Sequence, residues 1–152
     1  MRLFIARHGE ASFDAPSDRD RSLTPNGHEV TKGVLERNVE ELRKIDIIWS
    51  SDLRRAQETA AIYSDELKVA VDIKRFLTPD GDPKRIIKEI NALDNETQLL
   101  IVSHQPLVGE FVSLLCEGHV YKAHPYNTSE IVVIECEIPE PGLGRQIGNF
   151  LP

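Results

Sequence analysis

The feature that most constrains this chain is Leu99-Leu100-Ile101-Val102, a run with no polar residue inside it. A strand with one wet face alternates apolar and polar residues. One that is apolar throughout is buried on both faces, as in a parallel sheet covered by helices. The rest of the sequence fits that frame. Leu3-Phe4-Ile5-Ala6, Ile45 to Trp49, Val69 to Ile73 and Ile131 to Ile134 predict further strands, with a final edge strand over Gln146 to Leu151. Helical patterns lie between them. Leu23-Thr24-Pro25-Asn26-Gly27 opens a helix, with Thr24 as N-cap and Pro25 in its first turn. Val30, Val34, Leu35, Val39 and Leu42 carry it to about Lys44. Further helices are predicted over 53–67, after the turn cluster 78–83, and from about Pro106 to Cys116. The β-α-β-α order predicts an α/β fold with a mostly parallel central sheet, as a single domain over residues 1–152.

Composition narrows the function classes. Of 152 residues, 40% are apolar and 28% charged, as in a soluble globular domain able to bury a core without disulfides or structural metal. There are 18 Lys and Arg against 25 Asp and Glu, a net charge of −7. That argues against nucleic acid or an anionic membrane as partner. The imbalance is not uniform, however. Residues 1–55 hold ten basic and ten acidic side chains, and 56–152 hold eight and fifteen. An anionic ligand is therefore compatible with the first third. Cys116 and Cys136 form no CxxC pair and read as buried thiols of a reducing compartment. The apolar stretch at the N-terminus is too short for a signal peptide, so a cytoplasmic protein is expected.

In open parallel sheets, function collects where strands end and helices begin. Three such places carry unusual residues: Arg7-His8-Gly9-Glu10, Ser50-Ser51-Asp52-Leu53-Arg54-Arg55 and Ser103-His104-Gln105-Pro106. Cations are disfavoured in the first turn of a helix, so at least one of Arg54 and Arg55 is expected to hold an anion. Two histidines, several arginines and helix N-termini on one rim predict a phosphate site.

These residues resemble the motifs of the histidine phosphatase (phosphoglycerate-mutase-like) superfamily. Arg7-His8-Gly9 is similar to its RHG signature, and Val102-Ser103-His104 to its second-histidine strand end. Ser51-Asp52-Leu53-Arg54-Arg55-Ala56-Gln57-Glu58-Thr59-Ala60 is similar to its S-P-L-x-R-A-x-x-T-A helix opening, with Asp52 in place of proline. The short length, Leu23 to Gly27, Leu77-Thr78-Pro79 with Gly81-Asp82, and Ser103 to Gly109 resemble the SixA-type phosphohistidine phosphatases within it. The resemblance implies a three-layer α/β/α sandwich of phosphoglycerate-mutase-like fold. It also implies His8 as a transiently phosphorylated nucleophile, Arg7 and Arg55 as phosphate ligands, and His104 as a second donor to the transferring oxygens, with no metal or cofactor. Gly9 would let the chain turn closely under the phosphate. Arg21 is either a third cation of the site or a solvated loop residue.

Three departures from the superfamily pattern bear on substrate. Asp14 stands where many members have asparagine, and is expected to orient an arginine or a backbone group. No insertion supplies a glutamate as proton donor; the turn at 78–82 offers only Asp80 and Asp82, and Asp82 is the natural cap of the next helix. No lid segment is present. An alkoxide needs a proton as it leaves, whereas imidazole, with a conjugate-acid pKa near ~6.5, does not. These features imply a protein phosphohistidine phosphatase acting on a histidine-containing phosphotransfer domain or similar signalling carrier. The rival is a phosphatase for small phosphomonoesters such as a sugar phosphate or nucleotide. Behind it stand a mutase, which lacks a lid to retain its intermediate, an inactive module that reads phosphate, and a metal site built on His8 and His104. No motif stands behind His28, His119 or His124, although the 117–128 loop could line the rim.

Overall fold

The computed structural model describes all 152 residues. Its strands are β1 (Arg2–Arg7), β2 (Ile47–Ser50), β3 (Val71–Ile73), β4 (Gln98–Ser103), β5 (Ile131–Glu135) and β6 (Arg145–Phe150). They form one sheet in the order β3-β2-β4-β1-β5-β6. From β3 to β1 the pairing is parallel; β5 and β6 add antiparallel strands at one side. The apolar run lies in β4, between β2 and β1, with every residue from Leu99 to Ser103 buried.

The helices are α1 (Pro25–Arg37), α2 (Val39–Leu42), α3 (Arg54–Leu67), α4 (Pro83–Ile90) and α5 (Leu107–Glu117). Alternate residues of the strands feed two cores. Leu3, Ile5, Leu99 and Ile101 pack with Ile86 and Ile90 of α4 and with Leu107 and Phe111 of α5. Phe4, Ala6, Leu100 and Val102 pack with Val34 of α1, Leu42 of α2 and Ala56 and Tyr63 of α3. The result is the expected α/β/α sandwich, with α1–α3 on one face and α4–α5 on the other.

Thr24 caps α1 as expected, its hydroxyl accepting from the Gly27 amide at 2.9 Å. A cap of this kind contributes about 1 kcal/mol. The helix predicted to run to Lys44 instead breaks at Asn38. That residue has φ −123°, and its side-chain amide donates to the Val34 carbonyl at 2.8 Å. An asparagine that bonds back to the chain competes with the helical ladder, and α2 is a separate short turn. β3 begins two residues later than predicted, at Val71, and is a short edge strand with Asp72 and Ile73 exposed. Cys136 is buried, but Cys116, in the last turn of α5, is only half-buried; both are free thiols. No helix is long and apolar enough to cross a membrane.

Candidate active site

The parallel register of β1 and β4 pairs Arg7 with Ser103, so the next residues, His8 and His104, emerge side by side. Their rings lie 5.0 Å apart between centroids, and both are buried. His8 is clasped by backbone from both neighbours. Its amide donates to the Ser103 carbonyl at 3.0 Å, and its carbonyl accepts from the Ser129 amide at 3.1 Å. Because β5 runs antiparallel, its N-terminal end, with residues 126–130, lies on this same rim.

The contacts of His8 assign its tautomer. Nδ1 lies 2.7 Å from the Gly9 carbonyl, which can only accept, so Nδ1 carries the proton. Nε2 then presents a lone pair, and it accepts from Arg55 Nε at 3.2 Å. Burial lowers the His8 pKa most, the Gly9 bond offsets part of that, and Arg55, Arg7 and Arg21 lower it further, to about 4. His104 is shifted down as well, by burial first and then by His8, Arg55 and Arg7. Its Nε2 is 2.6 Å from Ser51 Oγ, while Nδ1 is buried without a partner. Both rings are thus neutral at pH 7, as a nucleophile and a hydrogen-bond donor require.

Two arginines converge on the pair. Arg7 donates from Nη1 to the Tyr126 carbonyl at 2.8 Å, and its buried Nε has no partner. Burial and the nearby Arg55 lower its pKa, yet a guanidinium stays charged at any ordinary pH. The two first-turn arginines of α3 divide as the helix-dipole rule demands. Arg54 is exposed and pairs with Glu58 at 2.7 Å, one turn on. Arg55 is only 4% exposed and turns into the site.

Arg55 is held from outside by Asp18, in a 3₁₀ turn over Asp18–Asp20. Arg55 Nη1 donates to the Asp18 carbonyl oxygen at 2.7 Å and Nη2 to its carboxylate at 3.2 Å. Arg21 shares the other carboxylate oxygen at 3.2 Å. Partial burial pushes the Asp18 pKa up, but the bonds and charges of Arg21 and Arg55 outweigh it and leave it lowered. Arg21 is no solvated loop residue. Its Nε and Nη2 donate to the carbonyls of Ser12 and Ala11, and its guanidinium lies 4.0 Å from the Phe13 ring centroid. It makes no hydrogen bond to His8; its charge alone reaches the ring.

Several expectations need correction. Asp14 is exposed and orients no arginine; its amide donates to Ser12 Oγ at 3.0 Å, and Asp18 has the role foreseen for it. The missing Cβ of Gly9 makes room for α1 rather than for an anion, since a Cβ there would lie 2.7 Å from Thr31 Oγ1 and 3.0 Å from the Gly27 carbonyl. What Gly9 adds to the site is its carbonyl on His8. Asp82 caps α4 through the Lys84 amide at 2.9 Å. Asp80 is exposed, and bonds from Thr78 and from its own backbone lower its pKa. Asp80 is thus held ionised, and the Asp82 carboxylate is engaged as a cap.

Other site contacts had no signal in the sequence. Buried Glu130 accepts from the Asn127 amide and side chain, both at 2.9 Å, and so shapes the turn whose Tyr126 carbonyl anchors Arg7. Thr59 receives the Gly9 amide and donates to the Arg55 carbonyl, tying strand end to helix. Of the other histidines, His28 is exposed on α1. His119 stacks on Tyr121, and His124 packs edge-on to Tyr126 while its carbonyl accepts from Gln105. The 117–128 loop therefore does reach the rim, through 124–127. No three His, Cys, Asp or Glu side chains converge as a set of metal ligands.

This arrangement, a lone-pair imidazole nitrogen beside buried Arg55 and half-buried Arg7 at parallel strand ends, has the chemistry that phosphoryl transfer requires. Residues 3–78 match the sequence profile of the histidine phosphatase superfamily (branch 1). The chain belongs to that superfamily. It is 37% identical over 122 residues to phosphohistidine phosphatase SixA of Escherichia coli (strain K12), covering 78% of this chain and 76% of that protein. It is 36% identical over 126 residues to the phosphohistidine phosphatase SixA homolog of Haemophilus influenzae, covering 76% and 77%. The solved structure of protein histidine phosphatase SixA complexed with tungstate superposes with a TM-score of 0.87 at 32% identity, over 99% of this chain and 96% of that one.

Proposed function

We propose that this protein is a phosphohistidine phosphatase that removes phosphate from a histidine-containing phosphotransfer domain or similar signalling carrier through a phospho-His8 intermediate. The observation that carries it is the protonation of His8. With Nδ1–H held by the Gly9 carbonyl, Nε2 carries the lone pair that attacks phosphorus as Arg55 Nε turns from it to the phosphate oxygens. The P–N bond of the substrate breaks as the new one forms, and its electron pair goes to the departing ring, which leaves as neutral imidazole when its other nitrogen is protonated. In the second step water attacks phospho-His8, and the electron pair of the P–N bond returns to Nε2. The Gly9 carbonyl keeps Nδ1 protonated, so His8 likewise leaves neutral. The water proton passes to phosphate and solvent.

Arg7 and Arg55 hold the equatorial oxygens with forked donors, which is the main demand of phosphoryl transfer. His104 donates to the same oxygens, and Arg21 adds charge from one step away. The buried orphan atoms Arg7 Nε and His104 Nδ1 support an anion ligand, since each unpaired polar group costs roughly 1–3 kcal/mol. Phosphohistidine, rather than a phosphomonoester, is supported by Asp80 being held ionised and by Asp82 being engaged as the α4 cap. Two free cysteines agree with a cytoplasmic location. The test compares turnover of a phosphorylated histidine phosphotransfer domain with a panel of sugar phosphates and nucleotides, in chelator. The expected result is faster turnover of the phosphoprotein, with acid-labile phosphate trapped on the enzyme. Faster hydrolysis of the phosphomonoesters overturns it.

A further inference from the structure

We propose that Phe13 is the docking anchor for the phosphohistidine-bearing protein, and so selects a protein-borne phosphate over a free one. This rests on the function proposed above and adds to it the surface that recognises the carrier. Phe13 is 87% exposed and contributes nothing to either core. A lone exposed apolar side chain is ordinary, but this one has an uncommon position. Its ring lies against the Arg21 guanidinium, Arg21 shares the Asp18 carboxylate with Arg55, and Arg55 donates to His8 Nε2. No other exposed large apolar residue lies on the loop that clasps Arg55.

The loop is also preorganised. The Ser12 amide donates to the Ser22 carbonyl at 2.8 Å, Arg21 spans back to Ser12 and Ala11, and Arg19 pairs with Asp52 at the start of α3. An aromatic ring presented on a fixed loop loses little entropy on binding, which is the character of an interface hot spot. The occupant is a protein for a geometric reason. A histidine side chain is short, so for His8 to reach its phosphorus the carrier's backbone must come down onto the rim beside this loop. Exposed Asp14 follows Phe13 directly, and exposed Asp20 lies further along the same loop. The matching carrier surface is an apolar spot with basic side chains beside it.

The test measures F13A and F13L on two substrates: a phosphorylated histidine phosphotransfer domain and phosphoimidazole, which carries the same P–N bond without a protein. F13A is expected to raise KM for the phosphoprotein by roughly tenfold or more, with phosphoimidazole turnover within about twofold of wild type and F13L restoring most of the loss. Unchanged KM for the phosphoprotein, with wild-type turnover intact, overturns the role of Phe13 alone. Equal losses on both substrates overturn it too, because Phe13 would then act through Arg21. A wild-type enzyme that turns over phosphoimidazole and ignores the phosphoprotein overturns both this and the function it rests on.

Discussion

His8, Arg55 and His104 are 7%, 4% and 1% exposed, and each leaves the end of a strand or the start of a helix. Beside them, every residue from Pro16 to Asp20 is exposed. The first region is positioned by the sheet register and two hydrophobic cores. The second has no core of its own and is held by polar clasps: Asp18 on Arg55, Arg19 on Asp52, and Arg21 on the Ser12 and Ala11 carbonyls. The contrast separates two jobs. On the proposed mechanism, groups that react or take the charge of the transferring phosphoryl sit where the fold cannot slip. Groups that aim them, or meet the partner, sit where the chain can vary without unfolding the domain. Damage to the first should cost orders of magnitude in rate, and damage to the second about one.

The strongest break is H8A. It removes the lone-pair nitrogen that faces the phosphate arginine, and kcat/KM should fall by roughly 10⁴-fold or more, with no acid-labile phosphate on the protein. Stable labelling of H8A would move the nucleophile elsewhere. R55K comes next. It keeps a charge but loses the planar fork and the bond to His8 Nε2, so a loss of roughly 10³-fold is expected. Recovery to near wild type would mean that Arg55 acts only as a point charge.

The two regions were also unequally legible. β1, β4 and α3 could be placed because apolar runs mark buried strands and an arginine in a first turn is out of place. The parallel order put His8 and His104 on one rim; that their strands are neighbours is seen only in the structure. The clasps carried no such signal. Asp14, Asp18 and Asp20 look alike in sequence, and only the tertiary approach of Arg55 singles out Asp18. The anchor of Arg7 is the Tyr126 backbone carbonyl, a group every residue has. Gly9 shows a subtler failure: its identity was informative, yet the space it leaves faces Thr31 and Gly27 of α1 instead of the ligand. The break at Asn38 was lost because apolar spacing continued through it.

A third prediction concerns the buried region and pH. The folded pKa of His8 is depressed to about 4 from 6.5. Below 6.5 the unfolded chain takes up a proton that the folded one refuses. The stability from the neutral ring is therefore fully present above pH 6.5 and lost as pH falls towards 4. From pH 6.5 to about 5, above the range where most carboxylates protonate, stability should drop by up to about 2 kcal/mol. His104, shifted the same way, adds to the slope. Denaturant titration across this window should show a shallower slope for H8N than for wild type. Identical slopes would mean that His8 is not held neutral by burial.

The smallest effect should come from the exposed clasp, and it is the most diagnostic of the contrast. D18N keeps the carbonyl that accepts from Arg55 Nη1 and weakens only the carboxylate bond. The Asp18 side chain is 62% exposed, so solvent already screens its pairing with Arg55. Arg55 should stay in place but wander more, lowering kcat roughly tenfold, short of the 10²-fold that an ångström-scale misplacement brings. KM should not rise, because removing a carboxylate beside the site also removes repulsion against the phosphate. If Asp18 acts through Arg55, the two losses cannot add. In an R55K background D18N should change kcat less than about twofold, since coupled neighbours depart from additivity. A full tenfold loss in both backgrounds would make Asp18 an independent contributor, and the division between a reacting core and an aiming loop would have to be redrawn around it.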